Sequence, residues 1–152
     1  MLRISKLADY GTVVMVYLAK RSQQVCNARD IAMHTHLTIP TVSKLLKRLT
    51  SAGLLMSVRG VTGGYRLQRP AGEISVAEII YALEENRGLT ECSTHPNECS
   101  LQGVCHIQGN WRLISQAIES ALHSVSLEEL AKPSLQAVDL ERIKQISLGM
   151  PV

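Results

Sequence analysis

Apolar positions in the N-terminal half of the chain recur with the spacing of a helical face. Between Lys6 and Lys20, Leu7, Tyr10, Val14 and Leu18 fall three or four residues apart, which predicts a first helix. Asn27 followed by Asp30 reads as the N-terminal cap of a short helix over Ala28 to Thr35. Thr38, Ile39 and Pro40 open a third, because a proline in the first turn loses no hydrogen bond there. In this third helix Val42, Leu45, Leu46 and Leu49 stand at i, i+3, i+4 and i+7 and form the inward stripe. Thr41, Ser43, Lys44, Lys47 and Arg48 form the opposite face, polar and basic, and Gly53 is the expected C-cap.

The pattern then shifts to strands. Leu54 to Arg59 is an apolar strand candidate, Gly60 to Gly64 a turn, and Tyr65 to Gln68 a return strand. Two short helices joined by a tight turn and followed by a hairpin predict a winged helix-turn-helix, with the second helix entering a DNA major groove. Ser75 and Glu78 form a capping box and Ile74 with Ile79 a hydrophobic staple, so a fourth helix is expected from Val76 to Asn86. Periodicity breaks from Gly88 to Gln108. Beyond it Trp111, Ile114, Ile118, Ala121 and Val125 repeat with spacings of 3, 4, 3 and 4, the seam of a coiled-coil-like helix that needs a partner. A homodimer would supply one and match two-fold related half-sites on double-stranded DNA. A weak helix, about Val138 to Ile146, follows Pro133.

The expected fold class is therefore mainly α: a winged helix-turn-helix with a small β-hairpin wing plus a long dimerisation helix. The divisions are residues 1–87 for the DNA-binding domain, 88–108 for a cysteine-rich loop, 109–125 for the dimerisation helix and 126–152 for a C-terminal tail with weak helices.

Composition agrees with this. A chain of 152 residues, 45% hydrophobic, supports one compact domain with a dimerisation extension but not a large enzyme. With no Phe, one Trp and 3% aromatic residues, the core must be built from Leu, Ile, Val, Ala and Met, which suits helix packing better than a β-sandwich. No apolar run approaches the roughly 20 residues of a membrane span, and Met1 to Lys6 lacks the apolar core of a signal peptide. A cytoplasmic protein without a membrane partner is expected.

Charge sharpens the partner. Residues 1–72 carry 11 Lys and Arg against Asp9 and Asp30, a net +9, whereas residues 73–152 carry 5 against 11 acids, a net −6. From Ile31 to Gly72 there is no acid at all, while Lys44, Lys47, Arg48, Arg59, Arg66 and Arg69 are present. A surface of one sign points to a polyanion, since neutralising phosphates releases condensed counterions.

Three of the four cysteines, Cys92, Cys99 and Cys105, lie in the aperiodic segment with His95 and His106; Cys26 stands apart and reads as a small buried residue. In a reducing compartment such clustering favours metal ligation or redox sensing over disulfides. The C-x6-C-x5-C spacing lacks the close pair of a zinc knuckle and suits a larger object such as an iron–sulfur cluster. Zinc and redox-active thiols remain open on spacing alone. A nucleophile and base made of Cys105 and His106 is disfavoured, because adjacent loop residues rarely face each other; no enzyme is expected.

The opening Met1 to Tyr10, the wing Ser57 to Leu67 with Arg59, Gly63, Gly64 and Arg66, and the cysteine trio ahead of Trp111 together resemble the Rrf2 family of bacterial transcription regulators. The likeness is to its iron–sulfur-sensing members, those of the IscR and NsrR kind and above all regulators of the Suf cluster-assembly system. It covers the chain to about Val125 and implies a homodimeric repressor-type DNA-binding protein. It also implies a 2Fe-2S or 4Fe-4S cluster bound by Cys92, Cys99 and Cys105, whose status such members sense in controlling cluster-assembly genes. For the fourth ligand, IscR-like members use a histidine where this chain has Gln108, with His106 displaced by two; NsrR-like members use an N-terminal aspartate of the other subunit, matched here by Asp9. Asp9 is preferred and His106 is the alternative. Response to nitric oxide, or to redox change through thiols or zinc, is the other regulatory reading.

The third helix and the wing carry the candidate DNA contacts. IscR-like members place a glutamate where this chain has Ser43, so sequence preference should differ. Thr41, Ser43 and Lys44 are the candidates for base edges; Lys47, Arg48, Arg59 and Arg66 are those for phosphate or groove contacts. Gly63, without a side chain, lets the wing approach closely.

Overall fold

The computed structural model describes residues 4–22, 24–84, 90 and 105–133. Helix α1 spans Lys6–Ala19 and starts where the Ser5 hydroxyl accepts the Ala8 N–H. Helix α2, Ala28–Thr35, is capped by Asn27, whose Oδ1 accepts the Asp30 N–H at 2.9 Å, and closes in left-handed His36. Helix α3, Ile39–Ser51, is capped by Thr38 with Pro40 in its first turn. It ends at Ala52, and Gly53 follows at φ 73°, so the glycine takes the left-handed position just past the cap.

Strands β1, Leu55–Val58, and β2, Gly64–Leu67, form an antiparallel hairpin with Leu55 opposite Leu67 and Val58 opposite Gly64. After a 3-10 turn at Ala71–Glu73, helix α4 spans Val76–Leu83 and opens with the complete Ser75/Glu78 capping box. It stops short of Asn86, the end expected from the pattern: Glu84 turns to extended backbone at ψ 142° and directs its carboxylate to Ser5. Helix α5 spans Gln108–His123 and a short helix α6 spans Leu127–Leu130.

One apolar core joins these elements. Val14, Met15 and Leu18 of α1, Ile31 of α2, Val42, Leu45, Leu46 and Leu49 of α3, Leu55 and Leu67 of the hairpin, and Ile79 and Leu83 of α4 are all buried. Full burial of each large side chain contributes about 2 kcal/mol before entropy is subtracted. The α3 stripe read from sequence is this core face without exception.

Leu127 is fully buried in the same core, although it lies in the stretch read from sequence as tail. The cause is a second capping box, Ser126 with Glu129, and backbone bonds from the Leu127 N–H to the Ile74 carbonyl at 2.7 Å and from the Val76 N–H to the Val125 carbonyl at 2.9 Å. The residues after α5 thus return to the winged domain. The weak helix expected over Val138 to Ile146 lies outside the described residues. Among the described residues no helix is long and apolar enough to cross a membrane.

Candidate nucleic-acid interface and cysteine segment

Packing Val42, Leu45, Leu46 and Leu49 inward fixes what α3 turns outward: Ser43, Lys44 and Lys47 are exposed and Thr41 is half-buried. The Thr38 and Thr41 hydroxyls lie 2.8 Å apart at the helix start. Arg48 reaches across the fold: its Nη1 donates to the Leu83 carbonyl at the end of α4, 2.8 Å away.

In the wing Arg59 and Arg66 are exposed on either side of the turn, and Val61 at the tip is fully exposed. The turn closes through the Gly63 N–H donating to the Gly60 carbonyl, with Gly60 at φ 118°. Gly64 serves packing instead. A Cβ there would strike the backbone of Cys26 and Asn27, because Cys26 and Tyr65 exchange both backbone hydrogen bonds beside the hairpin. The sequence reading missed this third edge of the wing; its signal, Val25 and Cys26 ahead of the α2 cap, is too short to stand out. Arg69, another cation of the acid-free run, pairs with Glu78 at 2.6 Å and donates to the Glu73 carbonyl.

Cys26 is buried as expected, and that burial pushes its thiol up from the ordinary value, with Asp30 adding to the effect and Arg21 opposing it. Such a thiol is a poor thiolate donor. Cys105 differs. It is free and half-buried, three residues ahead of α5, and among the described residues no side chain caps the first turn of α5. Uncapped N–H groups and the positive end of the helix dipole make this a place for negative charge. A soft sulfur donor there fits an anionic sulfide cluster by its chemistry. His106 is exposed. Asp9 is exposed in the first turn of α1, its N–H donating to the Ser5 carbonyl. Cys92 and Cys99 lie outside the described residues, and among the described residues no three His, Cys, Asp or Glu side chains gather as a metal site.

Helix α5 has no buried residue; Trp111 is 38% exposed, Ile114 45% and Leu113 66%. The expected seam is thus exposed at Trp111 and Ile114 but half-buried at Ile118, Ala121 and Val125, the last of which lies past the end of the helix.

The profile of the Rrf2 family, described as an iron-dependent transcriptional regulator, matches residues 4–133. The chain is 36% identical over 132 residues to the HTH-type transcriptional regulator IscR of Xenorhabdus nematophila, an alignment that covers 86% of this chain and 80% of that one. Among solved structures it is similar to CymR, the global cysteine regulator of B. subtilis, with a TM-score of 0.68 and 30% identity over 86% of this chain and 97% of that one. It is also similar to T. potens IscR, with a TM-score of 0.65 and 25% identity over 99% of this chain and 93% of that one.

Proposed function

From the premise that the chain belongs to the Rrf2 family of DNA-binding transcription regulators, and is not an enzyme, we propose that it senses iron–sulfur cluster status and controls cluster-assembly genes. The observation that carries this reading is Cys105: a free thiol at the uncapped start of α5, third in the C-x6-C-x5-C series, in a chain similar to IscR proteins. Cys92, Cys99 and Cys105 would hold the cluster, with Asp9 of the partner subunit as fourth ligand and His106 as the alternative. The cluster, 2Fe-2S or 4Fe-4S, supplies a group whose assembly and loss depend on iron, sulfide and oxidants. A carboxylate is a weaker ligand than a thiolate for such iron, so the Asp9 corner is the labile one.

The residues do the rest. The seam of α5, exposed at Trp111 and Ile114 and half-buried at Ile118, pairs two copies in the cytoplasm and presents two α3 helices to two-fold related half-sites of double-stranded DNA. Thr41, Ser43 and Lys44 meet base edges; Lys47, Arg59 and Arg66 meet phosphates or the minor groove, with Gly63 keeping the wing turn slim. Arg48, the remaining candidate on this helix, is turned to the Leu83 carbonyl.

The test is anaerobic purification followed by visible absorbance, iron and sulfide analysis, and operator binding by the wild type and Cys92→Ala. A brown protein with iron and sulfide in near-equal amounts, and binding altered in Cys92→Ala, is expected. A second reading, a thiol-responsive regulator, is favoured by the likeness to CymR. A colourless protein whose DNA binding changes with a thiol oxidant supports that reading and overturns the cluster.

A further inference from the structure

We propose that Arg48 is a positioning residue, which sets the roll of the recognition helix by anchoring it to the end of α4 and so governs sequence selectivity without neutralising a phosphate. The proposal rests on the DNA-reading role of α3.

Leu83 is the last residue of α4 and Glu84 is already extended, so the final carbonyls of α4 have no partner within the helix. The Leu83 carbonyl is met by Arg48 Nη1 at 2.8 Å, 35 residues away in sequence. A cation at this helix end is favoured by the dipole, and a hydrogen bond from a charged donor is among the stronger kinds. Arg48 lies in the last turn of α3, half-buried, between the core residues Leu45 and Leu49.

The anchor itself is held from the other side. Glu84 Oε1 accepts the Ser5 N–H at 2.9 Å, and the Leu83 side chain occupies the space a Cβ on Gly11 of α1 would take. The carbonyl that receives Arg48 therefore sits on a pair of residues tied to α1. Arg48 ties α3 to the same pair.

A directional bond fixes the roll more tightly than apolar packing alone. The apolar stripe of α3 is non-directional in its attraction and tolerates small rotations, whereas the Arg48 bond weakens steeply when misaligned. Side-chain ends lie about 5 to 6 Å from a helix axis, so a roll of about 20° carries Ser43 and Lys44 about 2 Å sideways. That exceeds the distance range of a hydrogen bond to a base edge, while a mobile lysine still finds a phosphate.

The distinction is measurable through salt. A residue that neutralises a phosphate contributes about 0.9 to the slope of log affinity against log salt, and a positioning residue contributes nothing. The probes are a two-fold symmetric duplex that the full-length wild type enriches from a randomised pool and a scrambled duplex of the same composition. Affinities for both, across a salt series, are measured for the wild type, Arg48→Lys, Arg48→Ala and Lys47→Ala, each held below its own melting temperature.

Arg48→Lys keeps the charge but not the reach or the planar donor. It is expected to lose about tenfold in preference for the selected duplex with the wild-type salt slope, and Arg48→Ala to do the same. Lys47→Ala is expected to keep the preference and lower the slope by about one. If Arg48→Ala lowers the slope by about one with preference intact, or if Arg48→Lys matches the wild type in both quantities, the proposal is overturned. A wild type that enriches no duplex fails the DNA reading itself.

Discussion

Glu84 and Ser5, 79 residues apart, are joined by a hydrogen bond: the Glu84 carboxylate accepts the Ser5 N–H at 2.9 Å. Ser5 caps α1 and Glu84 is the first residue past α4, so one bond fastens the start of the helix bearing Asp9 to the point where the chain leaves the winged domain.

Removing that acceptor should fray the first turn of α1. Glu84→Ala is expected to cost about 1 kcal/mol, the usual net worth of such a bond, and to lower the melting temperature by about 3 °C. Hydrogen exchange should quicken at the Ala8 and Asp9 amides, which bond back to Ser5. Unchanged melting and exchange in Glu84→Ala would refute this role.

Gly64 is required by close approach rather than by turn geometry. Any Cβ meets backbone atoms, with Asn27 N at 2.9 Å, and backbone cannot move aside as a side-chain tip can. Gly64→Ala should therefore lower stability by about 2 kcal/mol or more and separate the hairpin from Cys26. Gly109, in α5 with nothing within 4 Å of a built Cβ, is the control: Gly109→Ala should be neutral or stabilising by about 0.5 kcal/mol. Chemical denaturation measures both.

What could be read from the chain and what could not divide by distance along it. The bounds of α2, the Thr38 cap with Pro40, the inward stripe of α3 and the Ser75/Glu78 capping box depend on residues within one or two turns, and all appear as expected. Leu127 looked like tail because its burial depends on Ile74, more than fifty residues earlier. Arg48 and Lys47 are adjacent cations in sequence and differ in the structure, because one faces a carbonyl 35 residues away. Of the proposed site, α3 and the wing stand as exposed polar surface and Cys105 as a free thiol, while Cys92 and Cys99 are known from their spacing alone.

Acid should weaken the junction between the hairpin and α4. Burial raises the Glu78 carboxyl, but the bonds from the Ser75 N–H, Arg69 and the Ser75 hydroxyl, together with the Arg69 charge, outweigh it and hold the group below its ordinary 4.5. A depressed folded value means that the stabilisation is present above the unfolded carboxylate range and is lost as pH falls through the folded value. The pair is about a third exposed, so the effect is small. Glu78→Gln should be less stable than the wild type at neutral pH, and the difference should shrink as pH drops below about 4.5. A difference constant from pH 7 to about pH 3 would refute the assignment.

Helix α5 offers the sharpest test of assembly. Trp111 and Ile114 lie on the seam with Ile118, Ala121 and Val125, and both are over a third exposed in the single chain. Two copies meeting along that seam would bury Ile114 from each, so Ile114→Asp places two unpaired carboxylates in an apolar interface, at several kcal/mol. The variant should sediment as a monomer at concentrations where the wild type is a dimer, with Trp111 emission shifted to the red as its ring is left in water. Leu113 stands off the seam, and Leu113→Asp should leave both readings unchanged. A dimer that survives Ile114→Asp, or is lost equally in Leu113→Asp, would place the interface elsewhere on the molecule.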